Sequence, residues 1–182
     1  MKKEWVEIMK TTGRIKLSWL DLLTHYLIVI FLLQPLLFLS FFWLKHFLTG
    51  EYTGERTFKE MFLVQIPFII LAVVFFFIQH KRLNFKQIQT SLSIDLIQIL
   101  IKTTANELEW IPFINTKYYK VFKTYPKWYT GSWGEQITII IDNDKVMINS
   151  ICDPDKRASV VSVGRNRKNM RCLIEKIKNA NL

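Results

Sequence analysis

The chain is poor in the side chains that most often carry chemistry at neutral pH. It has three histidines, His25, His46 and His80, and none beyond residue 80. Without imidazole, the C-terminal half cannot build a Ser–His–Asp triad, a histidine general base or a His-ligated metal site. The two cysteines, Cys152 and Cys172, offer neither a disulfide framework nor a Cys-x-x-Cys site. No glycine pattern of a phosphate loop or dinucleotide fold is present. There is no internal repeat and no low-complexity stretch. The sequence therefore implies no cofactor and no metal, and points away from an enzyme.

Charge is missing from two long runs, Tyr26–Leu44 (19 residues) and Met61–Ile78 (18 residues). Each is long enough to cross a hydrocarbon core of roughly 30 Å at about 1.5 Å per residue. The runs also lack small residues, apart from Ser40 and Ala72, so no small-xxx-small face supports close helix packing. Each carries one glutamine and one proline, Gln34–Pro35 and Gln65–Pro67. Proline frees a backbone carbonyl, and an intramembrane amide seeks a partner. Counted from the helix ends, Gln34 and Gln65 differ in depth by roughly 9 Å. They are therefore expected to bond to their own backbone, to a membrane-protein partner or to a second copy of the chain.

What is abundant is positive charge. The 182 residues carry a formal charge of +10, and most of that excess falls after residue 80. Natural partners are anionic: a lipid surface, a nucleotide or other anionic small molecule, a nucleic acid or an acidic protein, with lipid headgroups foremost in a membrane protein. Lys/Arg residues flank the outer ends of the two runs, with Lys2, Lys3, Lys10, Arg14 and Lys16 before the first and Lys81, Arg82 and Lys86 after the second. The connection 45–60 is mixed in sign. Positive-inside bias thus predicts both termini in the cytoplasm and that loop outside, a multi-pass protein of the cell inner membrane. Gly50, Thr53 and Gly54 suit the turn. The long leader and the missing cleavage site argue for a retained anchor rather than a signal peptide. Trp19, Tyr26 and Trp43 fall at the expected interfaces. Asp21 and His25, one turn apart before the first run, read as headgroup residues more readily than as a proton path.

Three segments follow: a basic cytosolic stretch 1–18, a hairpin 19–80 with spans near 19–44 and 61–80, and a cytosolic domain 84–182. In that domain, apolar spacing predicts a helix within 86–106, with Ser93 and Asp95 near a possible start. Strands are predicted at 108–114, 118–124, 136–142, 145–151 and 158–163, with a turn at Asp142–Asp144. Met170, Leu173, Ile174 and Ile177 predict a final amphipathic helix capped by Asn166. The fold class is an α+β membrane protein, a transmembrane hairpin plus a two-layer α/antiparallel-sheet/α domain.

Two clusters are candidate binding surfaces. Gly164, Arg165, Asn166, Arg167, Lys168 and Asn169 join a strand to the last helix, where backbone donors and three cations favour a phosphate-like anion. Lys117, Lys120, Lys123 and Lys127 alternate with aromatics that include Trp128 and Trp133. Such a stripe suits anionic headgroups or a partner, and nucleic acid less well because of the tether; core packing with outward lysines explains it equally. The acid pairs Glu107/Glu109, Asp142/Asp144 and Asp153/Asp155 fit solvated turns better than catalysis. The Gly131–Glu135 stretch reads as a turn, with Trp133 a candidate anchor.

The layout is similar to that of several bacterial membrane proteins, and no motif carries a function across. The leading expectation is a membrane-anchored, non-catalytic binding, scaffold or accessory module. A bacterial effector or immunity-type protein gated by ligand binding to the tail is the alternative. An enzyme using Glu107, Glu109 or Asp153 on a membrane-embedded substrate is the third.

Overall fold

The computed structural model describes residues 3–50, 56–127, 129, 132–156, 162 and 164–182. The chain forms two compact units: residues up to His25 together with His80–Leu182, and Tyr26–Gln79.

The second unit is a helical pair. Helices α2 (Trp19–Thr49) and α3 (Phe58–Arg82) contribute most of their length to it. Both are long and apolar enough to cross a membrane, and their apolar windows are almost entirely uncovered. Tyr26 stacks on Phe76 at 5.5 Å and His46 meets Phe58 at 5.3 Å, so the two helices run antiparallel. Val29 and Ala72 are the buried apolar residues of the pair. Ala72, the one small residue in its run, lets the backbones approach. Pro35 and Pro67 lie inside helices that continue through them.

Both helices begin with reciprocal caps. Ser18 and Asp21 exchange bonds at the start of α2: the Ser18 hydroxyl donates to the Asp21 carboxylate at 2.7 Å and accepts from the Asp21 N–H at 3.2 Å. Before α3, the Thr57 backbone N–H donates to the Glu60 carboxylate at 2.9 Å and the Thr57 hydroxyl accepts from the Glu60 N–H at 3.3 Å. Each pair satisfies orphan donors of a first turn. The Asp21 carboxylate is thus occupied in capping.

The first unit is built on a five-stranded antiparallel sheet, in the order β1 (Lys86–Gln89), β5 (Lys145–Cys152), β4 (Glu135–Asp142), β3 (Tyr119–Lys123), β2 (Ile111–Asn115). Strands β2 to β5 form a meander. Helix α4 (Ile94–Glu107) carries the chain from β1 at one edge to β2 at the other. Helix α5 (Arg165–Ala180) packs on the same face. The β4–β5 hairpin turns through Asn143 and Asp144, with Asn143 at a φ of 46°. Such a left-handed position suits Asn.

Alternation in the hairpin is apolar on both sides. Ile137, Ile139, Ile141, Val146 and Ile148 meet Ile97, Ile101, Leu173 and Ile177 of α4 and α5. Ile140, Met147 and Ile151 face the other way and need a second cover. Helix α1 (Lys3–Thr12) supplies it with Met9, aided by Ile15, Leu83 and Phe85. Two backbone bonds clip this layer together, Ile15 N–H to the Leu83 carbonyl at 2.8 Å and Phe85 N–H to the Gly13 carbonyl at 2.9 Å. From β5, the Asn149 amide donates to the Arg82 and Asn84 carbonyls at 2.8 and 2.6 Å. Arg14 reaches the His80 carbonyl at 3.1 Å, capping the last turn of α3. Lys10 binds Asp142 at 3.1 Å. Burial pulls the Lys10 ammonium down, but its bonds to Asp142 and Glu7 outweigh that and raise it.

Several sequence expectations change. The helix expected within 86–106 leaves residues 86–89 to a strand, because edge pairing with β5 places Ile88 in the core. The helix begins at Ile94, with Ser93 accepting from the Leu96 N–H at 3.3 Å. The helices do not lie on one face alone, since α1 covers the other. The predicted strand at 158–163 lies outside the described residues except at Ser162.

Truncating Met9 in this second cover carries a measurable cost. Met9→Ala is expected to destabilise the sheet unit by about 3 kcal/mol in denaturant unfolding of the full chain in micelles. An unchanged midpoint would mean that α1 contributes no core.

Candidate functional site

The structure divides the six residues at the start of α5 among different partners. Gly164, at a φ of 79°, is the N-cap and provides no side chain; Asn166 lies inside the helix rather than capping it. The Asn166 carbonyl oxygen accepts from the buried Ser150 hydroxyl at 2.9 Å. Asn169 donates to the same hydroxyl at 3.2 Å and accepts from the Trp110 indole at 3.3 Å. Both asparagines thus dock the helix on β5. Arg165 turns to Glu135, its Nε lying 3.1 Å from Oε1. Glu135 is fully buried and also accepts from Ser132 at 2.6 Å and from Thr124. Arg165 therefore neutralises an internal carboxylate. Arg167 and Lys168 remain exposed.

Gly134 makes that internal site possible. Its φ is 127°, and a Cβ there would fall 2.6 Å from the Thr124 carbonyl oxygen. Only glycine lets the chain pass so close to β3 while aiming Glu135 inward.

The lysine–aromatic stripe also divides. Lys117 and Lys127 are exposed, as is Trp133, while Trp128 lies outside the described residues. Lys120 and Lys123 are buried, because β3 is covered on both faces. Three residues apart on a strand, they point to opposite faces. Lys123 binds Asp153 at 3.0 Å and also Asp155. Burial lowers the Lys123 ammonium, yet the two carboxylates more than compensate and raise it. Lys120 bonds to the Asn115 side chain, and burial pushes it down.

The acid pairs are dispersed among lysines. Glu107 binds Lys176 at 2.6 Å, and Asp142 binds Lys10 and Lys145. Among the described residues, Asp153 and Asp155 are the pair that shares a partner, Lys123.

A basic cavity of about 390 Å³ lies elsewhere, where three distant segments converge. Lys81, Arg82 and Lys86 come from the end of α3 and the start of β1. Ser150 comes from β5, and Asn166, Arg167 and Met170 from α5. No carboxylate lines it among the described residues. Of the six residues singled out at the α5 start, Gly164, Asn166 and Arg167 border this cavity. The sequence signal for the rest was the acid-free Lys81–Arg82–Lys86 cluster, which reads only as a topology marker until the fold brings Arg167 beside it.

In the helical pair, Gln34 and Gln65 line one apolar groove of about 450 Å³ with Pro35, Phe38 and Val64. Both glutamines border this one groove, so the depth difference does not separate them into different environments. The Gln65 Oε1 atom is buried without a hydrogen-bond partner.

No protein-family profile and no curated protein sequence matches the chain.

The two buried lysines should respond oppositely to removal. Lys123→Met strands the buried Asp153 and is expected to cost about 3 kcal/mol at pH 7. Lys120→Met removes a desolvated charge and should stabilise by about 1 kcal/mol. The pH dependence follows from the two directions. The raised Lys123 stabilises below the ordinary lysine range and loses its effect as pH rises through its folded value. The lowered Lys120 penalises the fold at neutral pH, and the penalty fades as pH rises towards its unfolded value. Denaturant titrations at pH 7 and near pH 10 should therefore show the gap between the variants narrowing.

Proposed function

We propose that this chain is a two-pass membrane protein with both termini in the cytoplasm, acting as a non-catalytic module that binds the phosphate of an anionic headgroup. The observation that carries this reading is the cavity bordered by Lys81, Arg82, Lys86 and Arg167 with no acid among its described lining residues. Four cations border one concavity, and an anion between them would relieve their mutual repulsion. A phosphate there meets charge-assisted donors and the positive end of α5.

Chain connectivity favours a lipid as the source of that phosphate. Lys81 and Arg82 belong to the last turn of α3, three and four residues beyond Ile78. At about 1.5 Å per residue they lie roughly 5 Å past the apolar run, which is headgroup depth. The uncovered apolar surfaces of α2 and α3 support the spans themselves, and the charge flanking them supports the orientation. The unpartnered Gln65 Oε1 in its apolar groove favours a membrane companion or a second copy along that helix.

Two measurements test this. In intact cells, a Lys178→Cys variant should resist a membrane-impermeant maleimide while Thr53→Cys is labelled; the reverse pattern would refute the orientation. In lipid nanodiscs, the full chain should melt several degrees higher with phosphatidylglycerol than with phosphatidylcholine. Arg167→Glu should erase that difference. Inorganic phosphate added to phosphatidylcholine discs separates the sources: a shift there assigns the cavity to a soluble phosphate. No shift with either anion would remove the site.

A further inference from the structure

A second cavity, of about 510 Å³, opens between α4 and the β2–β3 edge of the sheet. We propose that it binds a small organic carboxylate with a flat apolar body, received by Lys120.

The cavity has two kinds of wall. Ile101, Ala105, Trp110 and Phe122 form an apolar side, with the two rings 5.6 Å apart. Lys120, Asn115, Asn106 and Gln98 supply hydrogen-bonding groups. An apolar lining with a few convergent polar groups, in a volume between about 300 and 1,000 Å³, is the usual form of a small-molecule site.

Lys120 is what makes this cavity more than a gap. It retains only 7% of its exposure, yet its ammonium is bonded to the neutral Asn115 amide and to no carboxylate among the described residues. Lys123 on the same strand is buried to 4% and has two acids, Asp153 and Asp155. The fold thus compensates one buried lysine fully and leaves the other with spare donors. An ammonium offers three donors, so at least one bond remains for a ligand. Desolvation lowers Lys120, the direction expected for a cation still short of an anion.

Charge selects the ligand. Asp95 and Lys102 are both exposed and cancel at the rim, leaving the single charge of Lys120 inside. One buried cation with neutral amides around it matches a monoanion. A phosphate dianion would keep an unbalanced charge. The aromatic and aliphatic wall then takes the ligand's planar body by stacking and apolar burial. This site uses none of the residues that border the basic cavity, so the two stand or fall separately.

The test uses 4-fluorobenzoate as probe and the neutral isostere 4-fluorobenzamide as control. Both are titrated to about 10 mM against the full chain in phosphatidylcholine nanodiscs and read by fluorine NMR. The benzoate should bind roughly tenfold tighter than the amide, and Lys120→Gln should bring it down to the amide's level. Lys102→Gln should leave the preference intact. Equal binding of the two probes, no binding of either, or a preference that survives Lys120→Gln would overturn the proposal. Should Lys120→Gln lose its cooperative melt, the wild-type chain decides. Benzoate must slow acetylation of Lys120 by acetic anhydride, followed by mass spectrometry, and benzamide must not. An unaltered rate would refute the site.

Discussion

The constraint on which the sheet unit depends is that its central hairpin is apolar on both faces. Ile137, Ile139 and Ile141 point one way, and Ile140, Met147 and Ile151 the other, all nearly or completely buried. A half-solvated antiparallel sheet needs one cover; this one needs two. Helices α4 and α5 provide the first. The second cannot come from the same stretch of chain, and it comes from the N-terminal segment and the residues that follow α3. A fragment beginning at residue 84 would lose Met9, Ile15 and Leu83 and expose that face to water. The N-terminal segment is therefore part of the core and more than a charged leader.

This arrangement has a consequence at the exit of α3. Asn149 binds the Arg82 and Asn84 carbonyls, and Arg14 binds that of His80. The carbonyls that a helix end leaves open are taken up by the domain itself. Lys81, Arg82 and Lys86 are thereby held on a fixed backbone beside β5 and α5. Fixed cations bind an anion at lower ordering cost than mobile ones.

Buried charge follows a consistent logic. Glu135 has Arg165 and two hydroxyls, and Lys123 has two carboxylates. Each internal charge that serves the fold is compensated, as low dielectric demands. Lys120 and its neutral partner depart from that logic, as does the unpartnered Gln65 oxygen in the helical pair. Such departures are the features on which the proposed carboxylate site and membrane companion rest.

Much of the architecture was legible in the amino-acid order, because it rests on short-range periodicity. The two apolar runs, the Asn143–Asp144 hairpin and the apolar stripe of α5 are local patterns, and the helices and strands form there. Strand β1 was hidden, since Lys-Gln-Ile-Gln has a single apolar residue and becomes a strand only by pairing with β5. The partners of the basic turn were hidden for a related reason. Sequence shows that Arg165, Arg167 and Lys168 are adjacent, but not that a buried Glu135 thirty residues earlier takes the first of them. The lysine–aromatic stripe likewise concealed that β3 is covered on both faces. By itself the sequence determined which segments are apolar, which turn and where positive charge accumulates, for these follow from neighbours along the chain. Only the tertiary structure decided which charges are neutralised inside the fold and which come to border a cavity, because a charge's worth depends on what the fold brings within a few ångströms of it.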